Sequence, residues 1–171
     1  NELVSKNVFQ VNFRLKESEE VKFPNGELKS VIHENIRGDD VYIVQCIDDP
    51  NSSQSVNDNL IALLTAINAA YQSDAESVTA VLPHFPYARQ ERRKTREGIT
   101  AMQIAQFLEI SGAHRVITLD IHAEAIQGFF KFAKLENLHA SRNIINYLRG
   151  DLDLDISNLV IAGPDIGSAD K

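Results

Sequence analysis

Ser77 to Gln90 reads SVTAVLPHFPYARQ, and this stretch breaks into two halves of different chemistry. The first, Ser77 to Pro83, is a short run dominated by apolar residues, the pattern of a buried strand. The second sets Phe85 and Tyr87 among Pro83 and Pro86, then releases Arg89 and Gln90. A stiff, proline-bracketed turn therefore follows a strand directly and ends in a cation and an amide. Three other runs have the strand character of the first half: VYIVQCI at Val41 to Ile47, RVITLDI at Arg115 to Ile121, and NLVIAGPD at Asn158 to Asp165.

Helical periodicity fills the gaps. NDNLIALLTAINAAY, from Asn57, places Leu60, Leu63, Leu64 and Ile67 on one face behind a polar start. ITAMQIAQFLEISGA has Thr100 placed to cap it, Ile104, Phe107 and Leu108 on one face, and Gly112 near its stop. ASRNIINYLRG, from Ala140, is a third amphipathic segment ending at Gly150. Strands alternating with helices predict an α/β fold, a mostly parallel sheet with helices on both faces. ELKSVIHE alternates like a half-buried strand and is expected at an antiparallel edge. In such folds ligands gather at the carboxyl ends of the strands. Three of those ends carry unusual residues: PHFPYARQ, DIHAE and GPDIGS.

With 171 residues, 43% hydrophobic and 24% charged, the chain suits one folded domain with a real core rather than a disordered segment. No apolar stretch is long enough to span a bilayer and no signal peptide is evident, so a cytoplasmic protein is expected. Cys46 is the single cysteine, which excludes an internal disulfide and a multi-cysteine zinc site. No G-x-x-x-x-G-K-[ST] loop and no G-x-G-x-x-G after a strand occurs, against a P-loop or a dinucleotide fingerprint.

The net charge is -7, yet Arg89, Arg92, Arg93, Lys94 and Arg96 crowd into one segment. Arginine grips phosphate oxygens bidentately and Gln90 can add an amide donor, so a polyanion clamp is one reading. A solvated loop is another. A nucleic-acid surface lacks the second basic cluster it would need. Asp120 and His122, two residues apart at a strand end, would point to one side. They could share a divalent metal, or Asp120 could orient or cap instead. With a polyphosphate present, Mg²⁺ is favoured over Zn²⁺, because thiolates are absent and imidazoles few. GPDIGS offers Gly163 and Gly167 for tight backbone around Asp165, which fits a phosphate turn or an ordinary strand-to-helix turn. FPNGE, Phe23 to Glu27, reads as a turn between strands.

FPNGE, HENIRGDDVYIVQ, NDNLIALL, LPHFPYARQERRKTREGIT, DIHAEAIQGFF and GPDIGS occur in the order found in ribose-phosphate diphosphokinases, the phosphoribosyl pyrophosphate synthetases, and the chain resembles that family from about Phe23 onward. The resemblance implies a phosphoribosyltransferase-type, Rossmann-like domain. It also implies an enzyme that transfers the β,γ-diphosphoryl group of ATP to ribose 5-phosphate, giving AMP and 5-phosphoribosyl 1-diphosphate. By the same resemblance Arg89 and Gln90 bind ATP, while Phe23, Asn25, Gly26 and Glu27 contact adenine from a neighbouring subunit. His122 and Asp165 would hold Mg²⁺, with Asp120 their partner in the motif. The family works as homo-oligomers, dimers assembling into a hexamer.

Some features depart from the family pattern. FKFAKLENLHA replaces a segment that carries a carboxylate, with Glu136 the nearest survivor, and Ser168 stands where a second glycine is usual. Residues 1–171 are expected to be the nucleotide-handling domain. The ribose-phosphate domain and the catalytic loop are expected outside this chain, which by itself would be inactive. A non-catalytic paralogue that regulates a true synthetase is the alternative the same motifs allow.

Overall fold

The computed structural model describes residues 13–50, 53–150, 160 and 162. They fall into two compact units, one running to Leu138 and one from His139. The first holds a four-stranded parallel sheet of β3 (Asp40–Val44), β4 (Ser77–Leu82), β5 (Arg115–Leu119) and β6 (Lys134–Leu138), in that order. Helix α1 (Val56–Gln72) connects β3 to β4, and α2 (Thr100–Ser111) connects β4 to β5. The α/β class and the parallel sheet expected from the sequence are both present. Of the expected strand Asn158 to Asp165, only Val160 and Ala162 are among the described residues, so that expectation lies otherwise outside them.

The sheet's hydrophobic side explains the helix positions. Val78, Ala80 and Leu82 alternate along β4 and are fully buried, and Ala80 pairs with Ile43 on one side and Val116 on the other. Leu63 and Ile67 of α1 join Ile104 and Leu108 of α2 in the same cluster. Burying each such side chain is worth about 1.5–3 kcal/mol. The strand order never reverses and α1 contacts α2, so both helices lie on one face, as right-handed crossovers require.

Three consecutive polar residues at the start of α1 perform three separate tasks. Asn59, buried, donates its Nδ2 to the Ile47 carbonyl at 2.9 Å, fixing the loop after β3. Asp58 forms a capping box with Ser55, its Oδ2 accepting from the Ser55 N–H at 3.2 Å while Ser55 Oγ accepts from the Asp58 N–H at 3.1 Å. Asn57 accepts a hydrogen bond from the Tyr87 hydroxyl, joining α1 to the loop after β4.

ELKSVIHE does form an antiparallel strand, but not at the edge of the parallel sheet. β2 (Leu28–Ile32) pairs with β1 (Ser18–Lys22) in a ribbon of its own. Ser30 Oγ meets Thr65 Oγ1 at 2.9 Å, which lays the ribbon along α1. β1 reads SEEVK and β6 reads KLENL. Neither has the apolar run that marks the other strands, so neither was expected. In the second unit α3 (Ser141–Gly150) matches the amphipathic segment ending at Gly150.

Candidate functional site

The turn after β4 is anchored from below and open above. Phe85 and Ala88 are buried, and Phe85 meets Phe130 edge to face. Tyr87 takes a left-handed backbone conformation at φ 57°, rare for a bulky residue and tolerated only where the surroundings impose it. Here its hydroxyl is held by Asn57. The chain then closes a short 3-10 turn, Ala88–Gln90, and leaves Arg89 and Gln90 exposed.

Thr100 does not cap α2. Ile99 occupies the cap position with no side-chain bond, and Thr100, the first helical residue, donates its hydroxyl to Gln90 Oε1 at 2.6 Å. Beyond the turn, Arg92, Arg93, Lys94 and Arg96 are all exposed. The loop that carries them curls around Glu97, whose Oε1 accepts the Lys94 N–H at 2.6 Å and the Thr95 N–H at 3.3 Å. The Lys94 N–H is the main reason the Glu97 carboxyl is held below the usual glutamate range.

After β5 the chain turns sharply. The strand stops at Leu119, and Asp120 has φ 44°, so the strand alternation expected to carry Asp120 and His122 to one side ends before the pair begins. The turn is tied to β6 instead. The Asp120 N–H donates to the Leu138 carbonyl at 2.8 Å and the Ile121 N–H to Asn137 Oδ1 at 2.9 Å, while Asn137 Nδ2 donates to Glu124 Oε1 at 2.7 Å. Asn137 is thus the organiser of this turn, and no local sequence signal marks it, because β6 itself lacks the apolar run of a strand. Asp120 and His122 are both exposed. Because β4 and β5 are adjacent and parallel, this turn and the Arg89–Gln90 turn leave the same edge of the sheet side by side.

Phe23 to Glu27 forms the tip of the ribbon. The Gly26 N–H donates to the Phe23 carbonyl at 2.9 Å, the Phe23 N–H to the Glu27 carbonyl at 2.8 Å, and Asn25 Oδ1 accepts from the Glu27 N–H at 3.1 Å. Pro24 sits where a turn wants its fixed φ, and Gly26 takes φ 90°. Lys22 lies 3.9 Å from Asp58 in the first turn of α1, so the tip sits at the helix end nearest the carboxyl edge of the sheet. Among the described residues no hydrogen bond or ion pair joins the Phe23–Glu27 turn to the Arg89–Gln90 turn.

Asp165 and the rest of GPDIGS lie outside the described residues. Among the described residues no group of three His, Cys, Asp or Glu side chains is placed to hold a metal ion. The donor chemistry of Asp120 and His122, one carboxylate and one imidazole on an exposed turn, does not suit an all-protein cage. Of the two, only the carboxylate is a hard oxygen donor, and two donors leave most positions of any bound cation to water or to another ligand.

Residues 1–112 match the profile of the N-terminal domain of ribose phosphate pyrophosphokinase. The chain belongs to that family. Ribose-phosphate pyrophosphokinase 2 of Schizosaccharomyces pombe is 37% identical over 171 residues, covering 99% of this chain and 51% of the relative. Ribose-phosphate pyrophosphokinase A of Dictyostelium discoideum is 41% identical over 171 residues, with the same coverage of each. Among solved structures, phosphoribosylpyrophosphate synthetase from Mycobacterium smegmatis superposes with a TM-score of 0.74 at 30% identity, covering 86% of this chain and 48% of that one. The chain spans about half the length of these ribose-phosphate pyrophosphokinases. No helix among its described residues is long and apolar enough to cross a membrane.

Proposed function

We propose that this chain is the nucleotide-handling half of a ribose-phosphate diphosphokinase, converting ATP and ribose 5-phosphate to AMP and 5-phosphoribosyl 1-diphosphate. The observation that carries the reading is an adjacency. In a member of this family, the exposed Arg89–Gln90 turn and the Asp120–His122 turn leave neighbouring parallel strands at one edge.

In this reaction the 1-hydroxyl oxygen of ribose 5-phosphate attacks the β-phosphorus of ATP. The bond from that phosphorus to the α-phosphoryl oxygen breaks, AMP leaves, and the hydroxyl proton is released. Such transfers rest on positioning and charge neutralisation more than on covalent help from protein. Arg89 supplies a permanent cation with a planar fork for the phosphates, and Gln90 supplies an uncharged donor beside it. Bound Mg²⁺ would add charge neutralisation between phosphate oxygens, and His122, Asp165 and Asp120 are the residues of this chain that would hold it. Phe23, Asn25, Gly26 and Glu27 would contact adenine from a neighbouring subunit, which makes the working form a homo-oligomer, dimers building a hexamer. No catalytic residue is assigned within this half. The ribose 5-phosphate site and the catalytic loop belong to the other half, and the cytoplasm is the compartment such a synthetase would occupy.

Calorimetry with Mg²⁺ and a non-hydrolysable ATP analogue, at protein concentrations that permit dimers, tests the reading. Saturable, Mg²⁺-dependent binding is expected, weakened about 10- to 100-fold by Arg89→Ala through loss of a charge-assisted contact. Absence of binding, or binding indifferent to Arg89→Ala, would overturn the site assignment. Formation of AMP from ATP and ribose 5-phosphate by the pure 171-residue chain would overturn the placement of catalysis in the other half.

A further inference from the structure

Gln90 is a two-ended group, and only one end suits a phosphate. Its Nε2 can donate to an anion, whereas its Oε1 would repel one. An exposed glutamine free to rotate would present either end and would lose side-chain entropy on binding. Here the carbonyl end is occupied: Thr100 Oγ1 donates to Oε1 at 2.6 Å. Among the described residues, no hydrogen bond engages Nε2.

We infer that Thr100 is a positioning residue whose hydroxyl sets the polarity of Gln90, so that the amide N–H groups face the ligand. Two observations beyond the bond itself support this. Thr100 is the first residue of α2, yet its hydroxyl serves Gln90 in place of the helix terminus, and the cap position is left to Ile99 without a side-chain bond. The backbone of the turn is immobilised separately, by buried Phe85 and Ala88 and by the Tyr87 hydroxyl on Asn57. With the backbone fixed, the amide torsions of Gln90 are the freedom that remains, and Thr100 removes it. This inference rests on the nucleotide-binding reading for its ligand, and on geometry alone for the orientation of the amide.

The test is a double-mutant cycle of Thr100→Val and Gln90→Ala, with Thr100→Ser as the rescue, read in two ways. Calorimetry with Mg²⁺ and the non-hydrolysable ATP analogue gives affinity, and ¹⁵N relaxation of the Gln90 side-chain amide gives its order without any ligand. Thr100→Val is expected to weaken binding about three- to tenfold, the effect of one lost neutral hydrogen bond, and to lower the order of the Gln90 amide. Thr100→Ser should restore both, and Thr100→Val should add nothing in the Gln90→Ala background. Equal loss in both backgrounds would show that Thr100 acts through the helix instead, and would overturn the inference. So would an affinity of Thr100→Val equal to that of a wild-type chain that binds. If the wild-type chain binds no nucleotide, the functional reading fails on its own. The amide order then decides the orientation claim: dependence on Thr100 upholds it and independence refutes it.

Discussion

One oxygen of Glu109 accepts three backbone N–H groups, from Lys131, Phe132 and Ala133 at 2.8, 2.6 and 2.8 Å. Those donors belong to the loop that enters β6, so this single carboxylate on α2 fixes where the last strand of the sheet begins. Partial burial pushes the carboxyl pKa up, but the three donors outweigh it and hold it below the usual glutamate range. Glu109→Gln keeps the shape and removes the charge that strengthens all three bonds. We expect it to cost about 1–3 kcal/mol, read as a lower urea midpoint with an unchanged slope. A midpoint equal to wild type would show that the loop is held by other contacts. The sequence gives no hint of this anchor, because Glu109 is one of 24 acidic residues and its partners follow more than twenty positions later. The stiff turn that ends in Arg89 and Gln90, by contrast, was legible, because Pro83, Pro86 and the strand end before them are local signals.

At the scale of elements, two glycines with positive φ separate conformational strain from steric exclusion. Gly26, at φ 90°, ends the Phe23–Glu27 turn, and a Cβ there would meet nothing within 4 Å. Gly112, at φ 109°, ends α2, and a Cβ there would lie 2.6 Å from the Tyr71 side chain. Gly26→Ala should therefore cost only the backbone term, about 1–2 kcal/mol. Gly112→Ala should cost more, because Tyr71 must also move. Thermal or urea melts of the two variants check the ordering, and equal losses would refute it. Both turns were readable from sequence, since Pro-Asn-Gly and Ser-Gly-Ala obey local rules. β1 and β6 were not, because a charged ribbon strand and a half-buried edge strand are specified by their partners, and pairing is a tertiary fact. Thr100 was misread for a related reason. A threonine at a helix start looks like a cap unless the glutamine ten residues earlier is known to fold back onto it.

At the scale of the molecule, four carboxylates among the described residues tie its connections together, and each is held below its usual range. Glu34 takes the Glu17 N–H with help from Lys16, and Asp58 takes the Ser55 N–H in the capping box. Glu97 takes the Lys94 N–H within the basic loop, and Glu109 holds the entry to β6. A carboxyl whose pKa is lower folded than unfolded stabilises the fold in its ionised form. Its contribution is complete above the unfolded value and is lost as pH falls through the folded one. Unfolded values are about 3.9 for Asp and about 4.3 for Glu, so stability should begin to drop below about pH 4.5 and continue falling beneath about pH 4. Urea midpoints measured at neutral pH and at steps down to about pH 3 would show this. Glu109→Gln carries the internal control, since it removes one of the four titrating anchors. Its midpoint should start lower than wild type at neutral pH and fall less on acidification, so that the two curves converge in acid. Parallel curves would mean that Glu109 does not contribute to the acid response, and a wild-type midpoint unchanged at pH 3 would mean that none of the four does.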